Sequence, residues 1–347
     1  MSANILRGGI IGVGKMGLAH AAILNTMNNV QLVAVCEPTK LIGSAFKKFL
    51  PKIKLYDDYE LMLKNENLNF TFITTPPHLH IEMAIECVKH GIPFFIEKPL
   101  SINAKSCVPL INKIKNVKIK NMVGYMMRYD KTFMLAKKII KDEVLGKIIT
   151  FNGTMYVSQL FTKGKGWRYD KEKSGGGVII AQTTHLIDLI TWYFGTPNHL
   201  NANTLAHYSE QTEDFVHSSF KWNDGLSGWI DSSWSVFNHR LLETTIKIHG
   251  ENGNMLVSDD TVKLFLTKDS GKYSKGWTII TKPELEDGVI MDIGGTSYSR
   301  QDEDFINKLK NNQQIETDVV NAYNNLLIIE GIYESAKNGG SLINLEP

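Results

Sequence analysis

Residues 12–17 read Gly12-Val13-Gly14-Lys15-Met16-Gly17, directly after an apolar run, Leu6–Ile11, and directly before an amphipathic stretch. Glycines at this spacing have separate jobs at a strand-to-helix turn. Gly12 permits the tight turn, Gly14 lets the backbone approach a pyrophosphate, and Gly17 lets the helix pack closely on the strand. The helix start then offers free N–H groups and a partial positive charge to phosphates. Lys15 and Met16 lie in that first turn and join the glycines as expected cofactor contacts. Twenty residues after Gly17, Glu37 closes a second apolar run, Leu32–Cys36. A carboxylate there accepts hydrogen bonds from an adenosine ribose diol and repels a 2′-phosphate. Pro38, Thr39 and Lys40 follow it, with no arginine. NAD is therefore expected over NADP, and Lys40 is the feature that favours the alternative.

Elements that can carry such a loop are visible in the first 125 residues. The runs Leu6–Ile11, Leu32–Cys36, Phe70–Thr74, Pro93–Ile96 and Ile119–Val123 alternate with amphipathic segments at 15–27, 39–49 and 79–90. This alternation predicts a doubly wound parallel sheet with helices on both faces. Beyond residue 125 the pattern changes to a helix (131–142), a strand (147–157), a Gly- and Lys-rich loop (162–177) and a helix (178–194). Strands follow at 214–222, 226–235, 242–249, 253–258 and 261–267, then helices at 299–310 and 317–337. The expected architecture is an α/β chain of two domains. Residues 1–125 form a dinucleotide-binding domain, and 126–347 form a substrate and oligomerisation domain with an open, mostly antiparallel sheet. One face of that sheet lacks covering helices, and Trp222, Trp229 and Trp234 suit an interface there, so a homodimer or homotetramer is expected.

Further motifs fall at strand ends, where such a sheet holds its ligand. They are Thr74-Thr75-Pro76-Pro77-His78-Leu79-His80, Glu97-Lys98-Pro99 and Gly124-Tyr125-Met126-Met127-Arg128-Tyr129. Trp167-Arg168, Ser174-Gly175-Gly176-Gly177, His185 and Asp188 lie in the second part. Together with the glycine loop these motifs resemble the glucose–fructose oxidoreductase, inositol dehydrogenase and MocA-like (Gfo/Idh/MocA) family over essentially the whole chain. The resemblance implies a nicotinamide-dependent oxidoreductase acting on a sugar, cyclitol or nucleotide-linked sugar. It implies that Thr75, Pro76, Pro77 and His80 line the nicotinamide side and that Glu97 lies near the nicotinamide ribose. Arg128, Trp167 and Arg168 would border cofactor and substrate, and Tyr156 and Tyr298 are looser matches to substrate-facing positions. The family places its acid/base histidine at His185.

Lys98 carries an independent physical argument. A lysine at the end of an apolar strand (Phe94, Phe95, Ile96) and followed by Pro99 is partly desolvated, which lowers its pKa. Such a lysine, also contacting the cofactor, can take a hydroxyl proton or hydrogen-bond a carbonyl in reverse. One position departs from the family pattern: Ala181 stands where many members carry aspartate, four residues before the histidine. Gln182 can reach the same face and orient an imidazole or a substrate hydroxyl, but an amide does not stabilise imidazolium as a carboxylate does. Lys98 is accordingly expected to be the main base. Two rival readings remain open: an NAD-using glycoside hydrolase, which turns over without net NADH, and a non-catalytic dinucleotide-binding sensor, suggested by Ala181.

Composition limits the other classes. Lys plus Arg is 38 and Asp plus Glu is 36, a net charge of +2 that points to neither nucleic acid nor an anionic membrane as partner. No run of 18 apolar residues and no signal-peptide pattern is present, and three cysteines without a C-x-x-C make no disulfide framework, so a reducing cytoplasm is expected. His78, His80, His90 and Cys87 fall on or beside one helix, but His78 and His80 do not share a face, and no metal is expected. Arg240 is the best-placed cation for a substrate phosphate or carboxylate.

Overall fold

Six short strands open the chain: β1 (Leu6–Ile11), β2 (Val30–Cys36), β3 (Lys54–Tyr56), β4 (Phe70–Ile73), β5 (Phe94–Ile96) and β6 (Asn121–Val123). In this computed structural model they form a parallel sheet in the order β3-β2-β1-β4-β5-β6. The structure describes residues 5–345 apart from Lys163, Lys165, Trp167 and Arg168. Strands β4 and β5 are buried at every position, which is why they read as unbroken apolar runs. Between the strands run α1 (Lys15–Thr26), α2 (Lys40–Phe49), α3 (Tyr59–Asn65), α4 (His80–Lys89) and α5 (Ala104–Lys115). Asp58 starts α3 by accepting hydrogen bonds from the Glu60 and Leu61 amides. The strand order reverses between β1 and β4, so the carboxyl ends of these two strands flank the place where a doubly wound sheet binds ligand.

Two compact units are present, Met1–Met126 with Gly288–Tyr323, and Met127–Asp287 with Asn324–Pro347. A boundary at 125/126 assigns residues 288–323 to the second unit, whereas the structure assigns them to the first. The cause is packing by the helix Thr296–Lys310. Its Phe305 meets Phe72 and Phe95 at ring-centroid distances of 5.6 and 6.0 Å, and those two rings stack on each other at 4.4 Å. Burial of three such rings is worth several kcal/mol, and nothing local in the sequence of this helix announces its partner.

The second unit holds a nine-stranded sheet of β7 (Ile148–Tyr156), β8 (His199–Leu205), β9 (Phe215–Lys221), β10 (Ser227–Ser233), β11 (Glu243–Gly250), β12 (Gly253–Ser258), β13 (Thr261–Leu266), β14 (Gly276–Thr281) and β15 (Ile343–Asn344). The order is β14-β13-β12-β11-β7-β10-β9-β8-β15. The strands read at 226–235 and 242–249 therefore do not pair with each other. Strand β7 inserts between β10 and β11 and runs parallel to β10, because residues 234–242 form a crossover instead of a tight turn. The helix Thr184–Phe194 covers one face of the sheet. Phe194 stacks on Phe151 at 5.0 Å, and a Cβ on Gly153 would stand 3.1 Å from Leu186. The opposite face presents Trp229 and Trp277, 52% and 64% exposed, while Trp222 and Trp234 are buried. Of the three tryptophans expected on that face, only Trp229 offers its ring to a partner.

Candidate active site

In the first unit the glycine loop is shaped by its neighbours. Gly12 has φ +87, a left-handed conformation, and a Cβ on Gly17 would stand 2.1 Å from the Gly12 carbonyl oxygen. Thr74, at the end of β4, fixes the turn by donating its hydroxyl to that same oxygen at 2.6 Å. Gly14, in contrast, has open space where a side chain would be. Helix α1 has no side-chain cap and no acidic residue in its first turn. Glu37 accepts hydrogen bonds from the Val13 amide at 3.1 Å and the Thr39 amide at 3.0 Å, which holds its carboxylate beside the loop. An uncapped helix start under open space, with an anchored carboxylate one strand away, fits a dinucleotide: phosphate at Gly12, Gly14, Lys15, Met16 and Gly17, and ribose diol at Glu37.

At the neighbouring strand ends Thr75 and Pro76 are half-buried and Pro77 is buried. His80 is corrected. It is fully buried, and its ring nitrogens lie 3.0 Å from the Pro99 carbonyl and 2.8 Å from the Thr75 carbonyl. Burial holds its pKa below the ordinary value, against the pull of those carbonyls. As a neutral ring His80 donates to one of these carbonyls, packs between the Thr75-Pro76 and Glu97-Lys98-Pro99 turns and offers no ring face to a ligand. Lys98 is half-buried.

Glu97 points into the unit and belongs to a trio that the sequence reading misses. Its Oε1 lies 3.0 Å from His20 Nε2, and its Oε2 accepts the Lys98 amide at 3.1 Å. The other ring nitrogen of His20 lies 2.7 Å from Asp302 Oδ2. Burial alone would lower the His20 pKa, but the charges and hydrogen bonds of Asp302 and Glu97 outweigh it and push it up to about 10. Tyr298 sits edge-on to the His20 ring at 6.3 Å. Burial, then the charges of Glu97 and Asp302, push its phenol well above the usual range. The structure thus brings Glu97, Lys98 and Tyr298 into one region. The sequence does offer one signal for His20, a histidine one turn beyond Gly17 on the buried side of α1.

In the second unit Arg128 is buried and gives two parallel hydrogen bonds of 2.7 Å to Asp188, which also accepts from Asn325 at 2.8 Å. Its Nε and Nη2 hold the helix that carries His185, a supporting role that the spacing of the motif does not show. Residues Ile179–Thr183 form a π-helical turn ahead of that helix. The three- and four-residue spacings that share a face in an α-helix do not carry across it, so Ala181 and Gln182 are offset from the positions a regular helix predicts. Gln182 and His185 are both buried, and the amide nitrogen of Gln182 has no hydrogen-bond partner among the described residues. Tyr156 is not brought to them. It lies on the open face of the sheet, hydrogen-bonded to Asp231, while Ser232, on the alternate face of β10, accepts from Thr183 at 2.8 Å. Trp167 and Arg168 lie outside the described residues.

The Ser174–Gly177 run also acquires a cause. Cβ atoms on Gly176 and Gly177 would stand 1.9 Å from the Tyr333 hydroxyl and 2.0 Å from the Glu213 carbonyl. The buried Glu213 carboxylate accepts from the amides of Gly177 at 2.9 Å and Ile179 at 3.0 Å and from the Tyr333 hydroxyl at 2.9 Å. It terminates the chain segment leading to Gln182 and His185, as an N-terminal carboxylate should.

Two sequence models match the chain. One, described as an oxidoreductase family with an NAD-binding Rossmann fold, covers residues 6–125, and the other, the GFO/IDH/MocA C-terminal domain, covers 133–256. Levoglucosan dehydrogenase of Pseudarthrobacter phenanthrenivorans is 23% identical across 94% of this chain and 95% of its own length. Inositol 2-dehydrogenase/D-chiro-inositol 3-dehydrogenase of Lactiplantibacillus plantarum is 24% identical across 90% of this chain and 85% of its own. A solved levoglucosan dehydrogenase, in complex with NADH and levoglucosan, shares the fold with a TM-score of 0.87 at 22% identity, covering 99% of this chain and 100% of that one.

Proposed function

The chain belongs to the Gfo/Idh/MocA family, NAD-dependent oxidoreductases acting on sugar-like alcohols, and from that premise we propose that it oxidises or reduces one carbon of a sugar, cyclitol or nucleotide-linked sugar through Lys98 and His185. The observation that carries the reading is the open, uncapped glycine loop with the Glu37 carboxylate anchored beside it. NAD, when bound, supplies the acceptor for hydride. The chain's own residues do the rest. Lys98, half-buried at the end of β5, takes the hydroxyl proton as the carbinol carbon is oxidised, or donates to the carbonyl oxygen in reverse. Glu97 holds the nicotinamide ribose. His185 supplies a second proton carrier or a substrate hydrogen bond. Gln182 offers its buried amide nitrogen to a substrate oxygen, which accounts for a donor that otherwise costs about 1–3 kcal/mol unpaired.

No helix among the described residues is long and apolar enough to cross a membrane, and we place the enzyme in the cytoplasm as a homodimer or homotetramer closed through the open face of the nine-stranded sheet. Trp229, Trp277 and Ile279 are exposed on that face. Light scattering at micromolar concentration reads the assembly, and a monomeric mass refutes it. The substrate class is tested by following NADH fluorescence with a panel of nucleotide sugars, free sugars and cyclitols. Net NADH with a panel member supports the proposal. Product formation without net NADH identifies a hydrolase, and NAD binding without turnover on any panel member identifies a sensor.

A further inference from the structure

Glu97 is given to the nicotinamide ribose, but its partners His20 and Asp302 have no role in the proposed chemistry, and the three form a deeply buried ionisable cluster in the first unit. His20 and Asp302 are 0% exposed and Glu97 7%. Both ring nitrogens of His20 face carboxylate oxygens, at 2.7 and 3.0 Å. A neutral imidazole has one N–H, so this geometry is satisfied by two ionised carboxylates only when the ring carries two protons. The arrangement also leaves Glu97 little freedom. One oxygen is held by His20 and the other by the Lys98 amide at 3.1 Å, and the ring of Phe95 packs against His20 at 5.1 Å. Three parts of the first unit meet here: the helix that begins at the glycine loop, the end of β5, and the helix Thr296–Lys310.

We propose that His20 is a positioning residue for the nicotinamide half of the cofactor: as an imidazolium clamped by Asp302, it fixes the Glu97 carboxylate in the orientation that receives the nicotinamide ribose hydroxyls. The inference rests on the reading that Glu97 borders that ribose. Asp302 acts one step further out, by keeping the proton on His20 and the ring plane fixed. A hydrogen-bond chain of this kind makes Glu97 a preorganised acceptor, so little side-chain ordering remains to be done when the ribose arrives.

The test separates the two halves of the dinucleotide by calorimetry on the full chain, with NAD, ADP-ribose and ADP as ligands, in wild type, His20→Asn, Glu97→Gln and the double variant. His20→Asn is expected to weaken NAD and ADP-ribose about tenfold to a hundredfold, the span of one charge-assisted hydrogen bond. It should leave ADP, which reaches only the glycine loop and Glu37, unchanged. In the Glu97→Gln background the His20→Asn effect on NAD should vanish, since the two residues act as one unit. Equal weakening of ADP and NAD by His20→Asn overturns the proposal and makes His20 a structural support of α1. So do additive losses in the double variant. If Glu97→Gln leaves NAD binding unchanged, the reading of Glu97 itself fails, a separate outcome. Should His20→Asn not fold, nitrogen-15 histidine spectra of the wild type decide, with the His20 signal identified by its displacement in Asp302→Asn. A ring protonated on both nitrogens at pH 8 is expected, and a neutral ring there overturns the proposal.

Discussion

Replacing Glu213 by alanine should cost the second unit a large part of its stability. The carboxylate satisfies three buried donors, the amides of Gly177 and Ile179 and the Tyr333 hydroxyl, at 2.9–3.0 Å. Each donor left unpaired costs about 1–2 kcal/mol, so Glu213→Ala should lose about 3–6 kcal/mol out of a typical total of about 5–15. Glu213→Gln separates hydrogen bonding from charge. All three donors converge on Oε1, which an amide oxygen replaces, and only the second contact of the Gly177 amide to Oε2, at 3.0 Å, becomes a clash of donors. Burial already pushes the Glu213 pKa up, against those hydrogen bonds, so losing the charge is cheap and the expected cost is about 1 kcal/mol. Urea unfolding followed by tryptophan fluorescence measures both variants. A loss below about 1 kcal/mol for Glu213→Ala would refute the reasoning, since it would mean the donors find other partners.

Two further outcomes follow from the first unit. Glu37→Ala should narrow the preference for NADH over NADPH by about 1–3 kcal/mol, read as the ratio of dissociation constants, and tighter wild-type binding of NADPH than NADH contradicts the assignment. The His20 pKa is raised from 6.5 to about 10. Its contribution to stability is thus full below pH 6.5 and is lost as pH rises through about 10. The stability gap between wild type and His20→Asn should be widest near pH 6 and close toward pH 10, and a gap independent of pH contradicts the buried imidazolium.

The parts of this protein that were legible in the sequence are those whose cause is local. The glycine loop is one: each glycine answers a steric demand from residues that any strand–turn–helix brings together, and Gly17 would meet the Gly12 carbonyl in any such turn. Strand β3 is not legible, because Lys54–Tyr56 is not fully buried and so forms no apolar run of the kind that marks the equally short β5 and β6. The insertion of β7 beside β10 is a choice of topology with no local signature. His80 is the instructive case. Its position in the strand-end motif is as expected, but its rotamer turns the ring inward onto two carbonyls, and no spacing rule sets that direction. His20 escapes notice because its partners lie 77 and 282 residues away. Gln182 and Ala181 move relative to His185 because the chain widens into a π turn where a regular helix is expected.

The central claim is that Lys98 moves the proton in an oxidation of a sugar-like alcohol, and the rate of hydride transfer in a single turnover tests it most directly. Wild type and Lys98→Met, each saturated with NAD, are mixed with the panel substrate that gives NADH, and the rise of NADH fluorescence is followed by stopped flow. Lys98→Met should transfer hydride about 10²–10⁴-fold more slowly while still binding NAD, because the glycine loop and Glu37 are untouched. Hydride transfer by Lys98→Met at the wild-type rate would contradict it.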